Sequence, residues 1–312
     1  MGYKYRLKKC DIADKGSTKE FRKKRRQWIK WFIGKDANSI WNQISWNVWY
    51  FVLFRTIDDL RKLAMEQPIV NVAFNSSVLR LFYIGFATTQ STAIRRLIEK
   101  PPSNPNPKRA VISLQSITSD IEKHRHLLTR ENYVAYDGLP YDSTPKSKSL
   151  RTGWIASKGP KAWPTSELAH ENFDKLSNVK STRRKRTDLI NKTWFRYLEK
   201  KLNICKDTKK YVDKFIAHGA APSTRKSLTK TQKGISIDRL ENCWKAIYQT
   251  ASFIYGSLLF EGSYFPLPTP QFDHLENLNK QWVDSKNINV VYKYWDQHSK
   301  SINDWTQESL WK

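Results

Sequence analysis

The spacing of apolar residues in segment 237–260 constrains the fold more than any other feature of the sequence. Apolar residues recur there every three or four positions, at Leu240, Trp244, Ile247, Ala251, Ile254 and Leu258. This spacing places all of them on one face of an α-helix. Three prolines, Pro266, Pro268 and Pro270, close the segment. The segment is therefore predicted to be an amphipathic helix that packs against a core.

Other segments repeat this spacing. In 38–65, one apolar line contains Trp46, either Trp49 or Tyr50, Leu53, Ile57, Leu60 and Ala64, and a second contains Trp41, Ile44, Val48 and Phe51. Two apolar lines predict a helix that is packed on two sides. Further helices are predicted over 22–33, 77–100, 113–128 and within 167–216. Because no strand series or internal repeat accompanies them, the predicted fold class is all-α.

Three segments fall outside this pattern or at its margin. Residues 1–37 are predicted to form a basic N-terminal arm in front of a helical domain over 38–272. Segment 132–166 has no clear period and is predicted to be an inserted loop. Residues 273–312 form a Trp-rich extension, predicted to fold as short helices, with Trp282, Trp295, Trp305 and Trp311.

The basic charge of the chain is clustered. There are 55 Lys and Arg against 29 Asp and Glu, a net charge of +26. Thirteen basic residues face three acidic ones in 1–35, and eighteen face four in 175–233. Such clustering is typical of proteins that bind nucleic acid, either RNA or DNA. The alternative is a solvated tail and a solvated loop. The candidate binding residues are Arg22, Lys23, Lys24, Arg25, Arg26, Arg183, Arg184, Lys185, Arg186, Arg225 and Lys226.

Several kinds of chemistry lack their sequence signature. Three widely spaced cysteines exclude a disulfide scaffold and a Cys-based zinc module. There is no phosphate-binding P-loop, no nucleophile elbow and no pair of carboxylates for acid–base work. His124 and His126 point to different sides of a helix and make a poor metal pair. We therefore expect no metal and no cofactor.

The sequence also favours a cytoplasmic location. No apolar run is long enough to span a membrane, and the N-terminus lacks the apolar core of a secretory signal. A membrane-surface helix over 22–32 is the alternative, because basic and aromatic residues adjoin there. The second basic segment, which lies inside a globular pattern, favours nucleic acid over a membrane as the partner.

Segment 211–218 is the best candidate for catalytic chemistry. It is a predicted helix end in which His218 follows Lys214 by one turn and Asp213 by five residues. A helix C-terminus favours the protonated imidazole, which can transfer protons near neutral pH. Lys214 could hold a phosphate. A histidine that only caps the helix by bonding to its carbonyl groups would have the same sequence.

Four pieces of the sequence, 93–100, 113–114, 128–135 and 211–218, stand in an order that resembles the bacterial HEPN-like proteins of the AbiU2 group, which are linked to abortive-infection defence. The resemblance implies a four-helix up-down bundle, often a homodimer in which two motif helices meet. Many HEPN proteins are metal-independent ribonucleases whose motif is an Arg followed, after four to six residues, by a His.

The sequence departs from that motif. His218 matches its histidine, but the positions for the Arg hold Tyr211, Val212 and Asp213. Two hypotheses follow. In the first, the chain is a non-catalytic, nucleic-acid-binding subunit of a bacterial defence or mobile-element complex, with RNA ahead of DNA, acting as a homodimer or with a partner protein. In the second, it is a metal-independent ribonuclease. His218 would act as general acid and base, Lys214 would bind the phosphate, and Asp213 would have an orienting role.

Overall fold

We analysed a computed structural model of the chain, which describes residues 3–66, 75–102, 111–142, 157–278, 280 and 285–303. Among these residues the fold is all-α, as predicted, and a single β-bridge joins Thr129 to Leu189. The α-helices are α1 (Lys15–Ile33), α2 (Ile40–Glu66), α3 (Ser76–Leu97), α4 (Leu114–Lys123), α5 (Arg130–Ala135), α6 (Trp163–Ser177), α7 (Thr193–Leu202), α8 (Lys206–Tyr211), α9 (Pro222–Lys226), α10 (Ile237–Ser252) and α11 (Ile288–Asn303).

The chain divides into two units. The first contains residues 1–60 and 76–268, and the second contains 61–75 and 269–312. In the first unit, α10 packs against α3, α4 and α7. Its predicted apolar face is buried, with Leu240, Trp244, Ile247, Ala251, Ile254 and Leu258 each no more than 4% exposed. The residues after Ser252 continue as a π-helical turn over Phe253–Leu258.

Helix α1 belongs to the core of this unit and is not a separate arm. It begins at Lys15, where the side chain of Asp14 accepts a hydrogen bond from the backbone N–H of Ser17. Phe21, Trp28 and Phe32 are almost completely buried, and the Phe32 ring lies 5.3 Å from that of Tyr255. The basic cluster therefore lies on a helix that the core holds by its apolar side.

The predicted helical region 167–216 is broken into several pieces. Helix α6 ends at Ser177 because Asn178 adopts the left-handed conformation, with φ of 59°. An irregular segment follows, and α7 starts only at Thr193. Helix α8 then continues into a π-helical turn over Val212–Ile216, in which the Ala217 N–H donates to the Val212 carbonyl at 2.8 Å.

The region predicted as an inserted loop is structured at both ends. Residues 132–135 lie in α5 and are buried, and α6 already begins at Trp163. Between them, Gly138 has a φ of +87°, and a Cβ there would stand 2.5 Å from the ring of Tyr5. Glycine is required at this position for both reasons, conformation and space. Residues 143–156 of the predicted loop lie outside the described residues.

Helices α2 and α3 pack against each other along their length. The rings of Phe54 and Phe86 stack with centroids 3.7 Å apart, and Phe51 lies 5.8 Å from Phe86. Further along, Tyr83 bonds to the carboxylate of Asp58. One apolar line of α2, with Trp41, Ile44 and Phe51, is therefore buried as predicted.

The described part of the second unit contains the amphipathic helix α11. Trp295 lies on this helix and is 72% exposed, whereas Trp282, Trp305 and Trp311 lie outside the described residues. None of the described helices has a stretch both long and apolar enough to cross a bilayer.

Candidate nucleic-acid interface

The outer face of α1 carries a line of five cations, which we call the basic ridge: Lys15, Lys19, Lys23, Arg26 and Lys30. Their spacing of three or four residues places them on one side of the helix. All five side chains are exposed, and the ridge runs for roughly 22 Å at 1.5 Å per residue. Among the described residues, none of the five forms an ion pair. The ridge is a continuous positive surface without an acidic residue in the line.

Arg22 and Arg25 belong to the same sequence cluster but face the interior. Arg22 donates to the carbonyl oxygens of Tyr136 at 2.7 Å and Tyr5 at 2.9 Å. Arg25 donates at 2.6 Å to the carbonyl of Leu259 and also at 2.6 Å to Glu261. The structure thus corrects the prediction that these two arginines contact nucleic acid, because internal acceptors occupy both guanidinium groups and burial removes them from the surface.

Lys24 is also engaged within the molecule. Its ammonium group lies 3.2 Å from the carboxylate of Asp120 on α4, which in addition accepts a hydrogen bond at 2.7 Å from the Trp28 indole. Of the five predicted residues in this cluster, Lys23 and Arg26 remain at the surface. The Arg26 guanidinium lies 5.0 Å from the ring centre of Tyr3.

In the second basic cluster, residues 183–186, engaged and exposed side chains also alternate. Arg184 donates to both Asp174 and Glu167, with a closest contact of 2.8 Å. Arg186 donates to Glu131 at 2.6 Å, and its guanidinium lies 4.0 Å from the ring centre of Tyr141. Arg184 and Arg186 are therefore engaged by carboxylates of the same chain, although both were predicted to contact nucleic acid.

Arg183 and Lys185 point outward and are exposed. The fold brings these residues to the beginning of α1. The carboxylate of Glu131 accepts hydrogen bonds from the backbone N–H groups of Ala13 and Asp14, at 2.9 and 3.3 Å, and also from Arg186. The start of α1 and the second basic segment, which are 172 residues apart in sequence between Asp14 and Arg186, thus share one acidic anchor next to the ridge.

A buried arginine, Arg130, connects the elements beneath this surface. Arg130 has no exposed surface, and it forms ion pairs with Asp174 at 2.6 Å and Asp188 at 2.9 Å. Burial raises the pKa of the Asp174 carboxyl, but hydrogen bonds from Arg184 and Arg130 outweigh this effect and hold it below its usual value. The network fixes segment 183–188 against α5 and α6, so that its outer side chains have a defined position.

His170 lies beside this network. Its Nε2 atom is 2.7 Å from the carbonyl oxygen of Tyr141, and its buried Nδ1 atom has no hydrogen-bond partner among the described residues. Burial lowers the pKa of His170, and the nearby charges of Arg184 and Arg130 lower it further. The imidazole is therefore held in its neutral form near neutral pH.

The predicted catalytic residue Asp213 lies in an ion-pair network. Asp213 receives a hydrogen bond from Arg95 of α3 at 2.5 Å and contacts Lys209 at 3.3 Å. Burial raises the pKa of Asp213, but these two cations outweigh it and lower the pKa overall. This carboxylate therefore serves an ion-pair network rather than His218.

His218 lies beyond the π-helical turn that holds the half-buried Lys214. It is exposed, and in the described part of the chain its side chain makes no hydrogen bond or ion pair. The third predicted group, Arg225 and Lys226, lies on the short helix α9. Arg225 is half-buried with its guanidinium 5.5 Å from the ring centre of Phe215, whereas Lys226 is exposed.

Comparison with known family models, curated proteins and solved structures finds no match to this chain. The described residues also contain no cluster of three or more His, Cys, Asp or Glu side chains arranged to hold a metal ion. The candidate interface is therefore assigned from the geometry of the basic ridge and of the anchor at Glu131.

Lys15, Lys19 and Lys30 were not predicted as binding residues, and Glu131 was not predicted as the anchor. The ridge has a sequence signal, because its five cations follow helical spacing from Lys15 to Lys30. The ridge becomes evident only when the helix is taken to begin after the cap at Asp14, whereas the predicted helix began at residue 22.

Proposed function

We propose that this chain is a nucleic-acid-binding protein that holds the phosphate backbone on the basic ridge of α1, with RNA preferred to DNA. One observation carries the proposal: the fold buries or pairs Arg22, Arg25, Arg184 and Arg186, whereas all five ridge cations stay exposed and unpaired among the described residues. The resemblance to HEPN-like proteins supports a role as a non-catalytic subunit of a cytoplasmic defence or mobile-element complex, built on a four-helix bundle.

The ridge suits a polyanion better than a single phosphate. Its successive cations are about 4.5 or 6 Å apart along the helix axis, given a rise of 1.5 Å per residue. Arg183 and Lys185 extend the positive surface at the end of the ridge that begins with Lys15. A linear array of this kind neutralises several phosphates of one strand and releases their counterions.

The ridge also lacks an exposed aromatic side chain on which bases could stack. Of the four aromatic side chains of α1, Phe21, Trp28 and Phe32 are buried, and the half-buried Trp31 packs against the core. Stacking on aromatic rings is the usual means of holding single-stranded bases. We therefore infer that recognition goes to the backbone and does not depend on sequence.

The salt dependence of binding tests this proposal. If the five ridge cations each contact one phosphate, the logarithm of affinity should fall against that of the salt concentration with a slope of about −3.5 or steeper on single strands. On duplexes the slope should be about −4.5 or steeper. Fluorescence anisotropy on RNA and DNA of two unrelated sequences measures it, and a slope near zero, or strong preference for one sequence, contradicts the proposal.

A ribonuclease is the second candidate, and one local observation favours it. The His218 side chain is exposed and free of the ion pairs that engage Asp213, and Arg95 brings a guanidinium group to Asp213, five residues before His218. Metal-independent cleavage of end-labelled RNA in EDTA, lost in His218→Ala and retained in the exposed control His126→Ala, would support this candidate. Intact RNA with all three proteins would exclude it.

A further inference from the structure

We propose that the chain forms a symmetric homodimer through an exposed apolar line on α2. This line, which we call the α2 seam, consists of Trp46, Tyr50, Leu53, Ile57 and Leu60. Its residues are spaced by four and three positions in alternation, which is the pattern of a helix that packs along another helix. The proposal concerns a different surface from the basic ridge and does not depend on the proposed function.

The seam faces away from the rest of the first unit. Phe51 and Phe54, on another side of α2, pack against Phe86 of α3. Arg55, about half a turn from the seam, donates to Glu241 of α10 at 2.9 Å. The sequence predicts that α2 is packed on two sides, and the structure provides a partner for one of the two apolar lines.

The exposure of the seam is large for apolar side chains. Trp46 is 60% exposed, Tyr50 49% and Leu60 41%, whereas Leu53 and Ile57 are half-buried. The rings of Trp46 and Tyr50 stack on each other with centroids 6.0 Å apart and form a flat apolar platform. Large aromatic side chains contribute about 150–250 Å² each when they are fully buried. Because about half of the Trp46 and Tyr50 surface is already buried within the chain, the five seam residues supply part of the roughly 800 Å² per partner of a standard interface, and surrounding residues must supply the rest.

The seam is self-complementary when two copies of α2 run antiparallel. If the two-fold axis passes at position 55, Leu53 of one copy lies opposite Ile57 of the other, and Tyr50 lies opposite Leu60. Trp46 then lies over the last turn of the second copy of α2. In this one register, the pair Leu53–Ile57 and the pair Tyr50–Leu60 both join seam residues of the two copies. An isologous interface requires such self-complementary contacts.

Charge points to a second copy as the occupant. The chain has a net charge of +26, so that most of its surface repels another copy. Helix α2 instead holds three basic and three acidic residues, and residues 40–54 hold no charged residue at all. In the antiparallel register this uncharged half faces the mixed-charge half of the other copy. The seam is thus a surface on which two copies approach without like-charge repulsion, and it offers nothing to a polyanion.

The mass of the full chain in solution tests the proposal. Light scattering on nucleic-acid-free protein in 0.5 M salt should give twice the chain mass of 36.8 kDa. Tyr50→Glu and Leu60→Lys, each made alone, should raise the dissociation constant of the dimer by at least about 30-fold, because each buries an unpaired charge. Leu81→Glu, at a leucine that is 70% exposed on α3, is the matched control and should leave the mass unchanged.

The double variant Tyr50→Glu/Leu60→Lys tests the register. In the antiparallel dimer it creates two opposite-charge pairs across the interface, and it should recover a dimer that the single variants lose. A wild-type protein that is monomeric at 100 μM would overturn the proposal. This conclusion would hold even if Leu60→Lys lowered the melting temperature of that monomer. A dimer that persists unchanged in both single variants would overturn it as well.

Discussion

At the scale of residues, the fold separates the basic side chains into two groups with different roles. Arg22, Arg25 and Arg130 are at most 7% exposed and satisfy carbonyl or carboxylate groups of the interior. Guanidinium groups suit this task, because their planar fork of donors reaches several acceptors at once. The lysines of the ridge, which have no internal partner among the described residues, stay in solvent.

The stability of the chain should depend strongly on Arg130. Replacing it by Met leaves the half-buried carboxylates of Asp174 and Asp188 with fewer cations, and such a change costs about 3–5 kcal/mol. Urea unfolding of Arg130→Met measures the loss. Arg183→Met, at an exposed position, is the control and should stay within about 0.5 kcal/mol of wild type. A loss below about 1 kcal/mol in Arg130→Met would contradict the role of the network.

His170 should make the stability of the chain depend on pH. Its pKa is lower in the folded state than the ordinary value of about 6.5, so the unfolded chain binds more protons as the solution becomes acidic. The free energy of unfolding should therefore be highest at neutral pH and should fall as the pH drops below about 6.5.

His170→Gln identifies the source of this pH dependence, because a Gln side chain can still donate to Tyr141 without titrating. Denaturant unfolding at a series of pH values should give a flatter profile for the variant than for the wild type. Equal slopes in the two proteins would assign the effect to other groups.

At the scale of elements, the helices and their apolar faces were predictable, whereas the direction of individual cations was not. The spacing of apolar residues alone predicted α2, α3, α4 and α10, because a helix that buries one face has apolar residues at every third or fourth position. The inward turn of Arg22 and Arg25 leaves no such mark, since their acceptors are carbonyl groups of Tyr136 and Leu259, which are remote in sequence. The break of the helical region at Asn178 likewise depends on a backbone conformation that several residues could adopt.

The attachment of α1 to the rest of the unit should depend on Glu131. Its carboxylate accepts from two backbone N–H groups before α1 and from Arg186, so Glu131→Gln loses charge-assisted bonds and should cost about 2 kcal/mol. Urea unfolding measures this cost. Glu20→Gln, at an exposed position of α1, is the matched control, and an equal effect of both variants would argue against the anchor.

At the scale of the whole molecule, charge and apolar surface lie on different helices. The basic ridge occupies α1, and the uncharged seam occupies the first three-quarters of α2. A polyanion and a second copy of the chain would therefore not compete for the same surface. Assembly through the seam should be retained in high salt, whereas binding through the ridge should be lost there.

Binding of nucleic acid by the ridge on α1 can be tested by making the same change of charge on two different helices. In one variant Lys19, Lys23 and Arg26 are replaced by Glu. In its control, three exposed cations at α7, Lys192, Arg196 and Lys200, are replaced by Glu, so that both proteins have the same net charge.

Anisotropy on one single-stranded RNA at 100 mM salt should show at least about 100-fold weaker binding for the ridge variant, with a salt slope shallower by about two. The control variant should stay within about tenfold of the wild type. Equal losses in both variants would show that net charge alone governs binding and would contradict the account.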